Sequence, residues 1–165
     1  MRHTIAILLQ NETGALSRVA SMFSTRGYNI ESLSVAPTQD PMISRLTLVT
    51  EGDDAVIEQI AKQLYKLIDV VDVLDITLLD HVESEYMMIK CQFKDRKKDA
   101  PLLEFIREEE GKIISEVDGF IIFEIVSDYD SNNRLLKTLK NMAEVIAIAR
   151  SGPLALVRGQ ADKSL

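Results

Sequence analysis

Residues 10–37, QNETGALSRVASMFSTRGYNIESLSVAP, read as a turn, a helix, a second turn and the start of a strand. Leu16, Val19, Ala20 and Phe23 fall at i, i+3, i+4 and i+7, the apolar stripe of an amphipathic helix. Gly27 stops that helix, being free to take positive φ. The strand beyond it is expected to turn Leu33 and Val35 inward. Working outward, HTIAILLQ (3–10) alternates Ile5, Ile7 and Leu9, the pattern of a mostly buried strand. On the other side a QDP turn leads to ISRLTLVT (43–50), with Leu46 and Leu48 at period two. A second helix follows, with Asp53 or Asp54 near its start and Ile57, Ile60, Ala61 and Leu64 on one face. VVDVLDITLL (70–79) closes the series as a strand, so the order is βαββαβ.

The same order then recurs. ESEYMMIKCQF alternates Met87, Ile89, Cys91 and Phe93, and DAPLLEFIREEEG is a short helix with Pro101 in its first turn and Gly111 just past its end. KIISEVDGFIIFEIV is a hairpin whose Asp118-Gly119 pair suits a type I′ turn. A helix in SNNRLLKTLKNMA and a strand in EVIAIAR complete the second copy. Leu64, Leu67, Val70 and Val73 align with Leu139, Met142, Val145 and Ile148, and Asp69 aligns with Glu144. The expected class is α+β, with two ferredoxin-like βαββαβ modules in tandem over residues 1–80 and 81–165, each laying two helices on one face of a four-stranded antiparallel sheet.

A chain of 165 residues with net charge −7 has the composition of a soluble globular protein. That charge argues against a nucleic-acid partner. The first and third strands also lack the aromatic side chains on which RNA bases stack. No stretch is long and apolar enough for a membrane span, and the N-terminus lacks a signal-peptide pattern, so a cytoplasmic location is expected. There is no GxxxxGK[ST] or GxGxxG loop, and NETGAL offers no basic residue before Arg18, which argues against a phosphatase cradle. Cys91 sits mid-strand on the apolar side and reads as a small core residue rather than a nucleophile. His3 and His81 show no metal-ligand spacing and are expected at the surface, while Glu108–Glu110 read as a solvated helix end. Neither a catalytic constellation nor a metal site is expected. The chain reads as a binding module.

Two positions then call for chemistry. A helix N-terminus offers free N–H groups and partial positive charge, which suit a carboxylate. Gly14, at the start of the first helix, lets a ligand approach the backbone closely. Asn29 carries a donor and an acceptor and could meet either end of an amino acid. The competing reading is ordinary punctuation, with Thr13 capping the helix and Asn29 serving the turn after Gly27.

The string NETGALSRVASMFSTRGYNIESLSVAPT, with SRLTLVT after it and ARSGPLALVRG near the end, resembles the small, regulatory subunits of acetohydroxyacid synthase (acetolactate synthase). The likeness runs over nearly the whole chain and is strongest in residues 1–80. It implies that the first module is an ACT domain and that two chains pair edge to edge into an eight-stranded sheet, as a homodimer. It further implies valine as an effector at that interface, bound by Asn11, Gly14, Ala15 and Leu16 of the first loop and helix start and by Asn29 and Ile30 ahead of the next strand. The implied partner is a large catalytic subunit carrying thiamine diphosphate, magnesium and FAD, with no cofactor in this chain. Binding would raise that partner's activity and confer feedback inhibition by valine. Two alternatives are an ACT effector module serving a different amino-acid enzyme, which a pull-down would separate, and a stand-alone enzyme, which assay of the pure chain would reveal.

Overall fold

A computed structural model describes residues 1–159. Twelve elements follow one another among them: β1 (Arg2–Gln10), α1 (Ala15–Thr25), β2 (Ser32–Pro37), β3 (Ile43–Glu51), α2 (Asp54–Leu64) and β4 (Val70–Asp75). The order is then repeated by β5 (His81–Gln92), α3 (Ala100–Glu108), β6 (Lys112–Val117), β7 (Phe120–Ser127), α4 (Tyr129–Met142) and β8 (Val145–Val157). The first sheet runs β2-β3-β1-β4 and the second β6-β7-β5-β8, so the two sheets share one topology position by position. Tandem ferredoxin-like α+β modules are therefore the fold.

The strands form because period-two apolar residues can bury one face. In the first sheet Ile5, Ile7 and Leu9 of β1 and Leu46 and Leu48 of β3 close on Val19 and Phe23 of α1 and Ile57, Ile60 and Leu64 of α2. The second core repeats this with Met87, Ile89, Cys91, Ile121, Phe123 and Ile125 from the strands and Leu102, Phe105, Ile106, Leu135 and Leu139 from the helices. The starts of α2 and α4 are fixed by short carboxylates. Asp53 accepts from the Val56 N–H at 2.8 Å, and Asp128 accepts from the Ser131 N–H at 2.8 Å. Pro101 lies in the first turn of α3. The β6–β7 turn has both Asp118 and Gly119 at positive φ (53° and 81°), as a type I′ turn requires.

Three expectations are corrected. Val35 is 39% exposed, because β2 is an edge strand and its second half runs out from under the core that Leu33 joins. His3 is buried rather than at the surface. It shares the alternation of Ile5 and Ile7, and its Nδ1 donates to Asp75 Oδ2 at 3.0 Å. The Asp75 carboxylate also accepts from the N–H and Oγ1 of Thr77. In α1 the inward face is Ala15, Val19 and Phe23, whereas Leu16 and Ala20 are exposed. An i, i+4, i+8 line suits one narrow contact with the sheet better than the wider stripe expected.

The chain divides into two compact units. One comprises Met1–Val82 together with the described residues from Pro153 onward, and the other Glu83–Gly152. The sequence placed a single boundary at 80/81. The difference lies at the chain's far end, where Ala155 and Val157 join Ala6, Leu74 and Ile76 in a small apolar cluster of the first unit. Arg45 Nη2 reaches the Ala155 carbonyl at 3.0 Å, and the Arg158 N–H donates to the Asp80 carbonyl at 2.8 Å. Ala6 alternates with Ile5 and Ile7 along β1, so this cluster takes up the sheet face that the helices leave open.

Candidate functional site

The loop between β1 and α1 is fastened at both ends by main-chain bonds. Gln10 N–H donates to the Asp69 carbonyl and Asn11 N–H to the Met42 carbonyl, at 2.8 and 2.7 Å. The Asn11 side chain is also committed, its Nδ2 donating to the Pro41 carbonyl at 2.9 Å. Gly14 then serves as the N-cap residue of α1 in the left-handed region, with φ 89° and ψ −11°. No side chain caps this helix, so Thr13 does not play the capping role that ordinary punctuation would give it. There is also no acidic residue in the first turn. The Ala15 N–H is taken by the Glu12 carbonyl at 3.2 Å, so the first turn of α1 is left with the N–H groups of Leu16 and Ser17 and its positive end uncapped by any side chain.

Gly14, Ala15 and Leu16 come together at this helix start, but in different roles. Ala15 is buried and packs into the core, Leu16 is 37% exposed, and Gly14 presents bare backbone. Arg18, one turn on, lies over that backbone. Its Nη1 stands 2.8 Å from where a Cβ on Gly14 would be. Its Nε and Nη2 are both held by the buried carboxylate of Asp69, the second at 2.8 Å. The Arg18 hydrogen bonds hold the Asp69 carboxyl below the usual carboxylate range, and in return Asp69 raises the Arg18 pKa. The sequence reading missed this pair. In the sequence Arg18 reads only as the first basic residue after NETGAL, and Asp69 only as the counterpart of Glu144 in the repeat. The signal was the spacing, since a residue four after an uncapped glycine returns to its face of the helix.

Asn29 and Ile30 lie elsewhere. Ile30 is partly buried against the first core, and the Asn29 main-chain oxygen accepts from Thr50 Oγ1 at 2.6 Å while the residue itself is exposed. Thr50 faces His3 at the beginning of β1, whereas Gln10 and Ile43 face each other at the opposite end of the sheet, beside Gly14. The 11 residues of α1 separate the two groups. That is about 16 Å at 1.5 Å per residue. Within one chain, no amino-acid-sized ligand spans Gly14 and Asn29. What the chain does bring together at one end is a helix start without a side-chain cap and a guanidinium beside it, and at the other an exposed carboxamide.

The second module also holds a guanidinium on a buried acid, Arg150 on Glu85 through Nε and Nη2, but Arg150 reaches Asn133 of α4, whose start is capped by Asp128. The counterpart of α1, helix α3, begins at Asp99, whose carboxylate accepts from the N–H groups of Lys94 and Asp95, and Glu144, aligned with Asp69, is exposed. Among the described residues no group of three or more His, Cys, Asp or Glu side chains gathers as metal ligands would. No helix among them is long and apolar enough to cross a membrane.

Known proteins place this architecture. Residues 5–72 match the family described as the AHAS small subunit-like ACT domain, and residues 84–159 match the small subunit of acetolactate synthase. The acetolactate synthase isozyme 3 small subunit of Salmonella typhimurium is 44% identical over 161 residues, covering 96% of this chain and 97% of that one. The corresponding Escherichia coli protein is 43% identical over 162 residues, with 96% and 97% covered. The crystal structure of the acetolactate synthase small subunit from Thermotoga maritima superposes with a TM-score of 0.87 at 34% identity, covering 96% of this chain and 98% of that one. The two module matches together span nearly the whole described chain, and the chain belongs to the family of acetolactate synthase small subunits, with an ACT domain as its first module.

Proposed function

We propose that this chain is the regulatory subunit of an acetolactate synthase of the cytoplasm. It binds and activates a large catalytic subunit and makes it sensitive to feedback inhibition by valine in branched-chain amino acid synthesis. Catalysis, with its thiamine diphosphate, magnesium and FAD, belongs to the large subunit. The observation that carries the effector part is the separation of Gly14 from Asn29 at opposite ends of α1.

A second copy of the chain resolves that separation. Strand β2 is an edge of the first sheet, and its outer half, Val35 to Pro37, is exposed. Bare edges invite pairing with another strand. Two copies joined antiparallel along β2 about a two-fold axis set the Ser32 end of one strand beside the Pro37 end of the other. Ser32 lies just beyond Asn29, and Pro37 pairs with Ser44 at the Gly14 end of the sheet. The Asn29 half of one copy is thereby carried toward the Gly14 half of its mate. Two equivalent sites form, each holding a carboxylate on the helix start of α1 and an ammonium or carboxylate on the carboxamide. Leu16 and Ile30 supply an apolar boundary.

Valine then acts through assembly. A ligand shifts an equilibrium only by its difference in affinity between two states. A site shared by two chains is complete in one arrangement of the pair and incomplete in another, which provides that difference. Selectivity among branched side chains rests on a methylene or two, so isoleucine and leucine act weakly rather than not at all.

The test combines the purified chain with a large catalytic subunit and measures acetolactate formation with and without valine. Activation by the chain and its reversal by valine are expected. Pyruvate turnover by the chain alone, or no effect on the large subunit, would overturn the proposal.

A further inference from the structure

We infer that Arg18 is a direct contact for the effector's carboxylate, with Asp69 as the residue that positions it; the inference rests on the effector site proposed above.

Three observations converge on this role. First, two of the three nitrogen prongs of the guanidinium are occupied by one buried carboxylate, Asp69, through Nε and Nη2. A planar fork held in this way loses its rotameric freedom, so the remaining prong is fixed in place before any ligand arrives. Second, that prong, Nη1, is the atom placed over Gly14, 2.8 Å from the position a Cβ would occupy. Third, the helix start beneath it carries neither a capping side chain nor an acidic residue in its first turn. A carboxylate entering over the glycine backbone therefore meets main-chain N–H groups on one side and a charged N–H donor on the other. The other charged group acting on Arg18 is Glu12, on the exposed loop just before Gly14.

Gly14 gains a second reason from this arrangement. Beyond its positive φ, any side chain there would displace Nη1 from the opening. Asp69 gains one too. Burying it almost fully against a half-exposed arginine fixes that arginine's direction, which a solvent-exposed partner would not do. The fork is a positioning device with one arm left for the ligand.

The experiment titrates valine and valinamide into the full chain by calorimetry. Valinamide keeps the ammonium and the side chain but has no negative charge. The wild-type protein is expected to prefer valine by roughly tenfold or more, the effect of a charge-assisted hydrogen bond. The double variant Arg18→Gln/Asp69→Asn keeps the size of both groups and leaves no buried charge unpaired. With its fold verified by a melting curve, it is expected to lose about that factor for valine and little for valinamide, bringing the two ligands level. Arg18→Lys, which retains a charge without the fork, is expected to recover part of the preference. A purely structural Arg18–Asp69 pair would lower stability and leave the preference untouched, and that result overturns the inference while the effector site stands. Equal binding of valine and valinamide by the wild-type protein also overturns it, whatever the variants do. Failure of the wild type to bind valine at all removes the effector site and this inference together.

Discussion

Gly14 combines two constraints that a single substitution tests together. It sits at φ 89°, and a Cβ there would meet Arg18 Nη1. Gly14→Asp is expected to abolish the response to valine while leaving activation of the catalytic subunit in place. Aspartate tolerates the left-handed region better than most residues, so the fold survives. Its carboxylate fills the cradle and takes the donors that a ligand would use. Calorimetry with valine beside a melting curve checks this, and unchanged affinity would return the glycine to ordinary punctuation. Asn29→Ala is expected to weaken valine binding by about 1–3 kcal/mol through one lost polar partner. Asp69 adds a dependence on acid. Its folded pKa lies below the usual carboxylate range because of Arg18, so its contribution to stability is present above that range and is lost as pH falls through the folded value. Cys91 runs the other way. Burial pushes its thiol up to about 11. The folded chain therefore holds that proton when an unfolded thiol, near about 8.5, has released it, and stability declines as pH rises between the two. A thiol reagent at neutral pH is expected to label Cys91 only at the rate of unfolding, and rapid labelling of the native protein would contradict its burial.

Among the elements, legibility followed how local the cause was. The Asp118-Gly119 turn was readable because its φ values depend on two residues, and Gly119→Ala is expected to destabilise the second module by about 1–2 kcal/mol. The Asp53 cap of α2 was narrowed to two residues for the same reason. Its replacement by Ala should cost about 0.5–2 kcal/mol in a denaturant titration. What the pattern could not reveal was docking. The periodicity of α1 is satisfied by Leu16 and Ala20 as well as by Ala15, and only the position of the sheet beneath decides that Ala15 is buried. His3 was misplaced because a polar residue near a strand end reads as solvent-facing until its partner, Asp75, is brought alongside from 72 residues away. Arg18 and Asp69, 51 residues apart, escaped notice for that reason too.

For the molecule as a whole, repetition with divergence is the informative fact. Both modules use one topology and each holds a guanidinium on a buried acid, but among the described residues only the first sets it over an uncapped helix start. The end of the chain contributes to the first unit through Ala155, which is buried beside Ala6 and Ile76. Ala155→Asp would place a carboxylate in that apolar cluster. It is expected to lower stability by more than about 2 kcal/mol, seen as an earlier melting transition. The distance from Gly14 to Asn29 along α1 has a genetic counterpart. If each site takes its helix start from one subunit and its carboxamide from the other, a mixed pair of Gly14→Asp and Asn29→Ala subunits contains one site damaged on both sides and one site wholly intact. Two alleles, one insensitive to valine and one weakened toward it, should therefore complement one another when co-expressed, restoring about half of the binding sites to full affinity in every mixed pair. Insensitivity that persists in the mixed population would mean that both halves of the site come from the same chain.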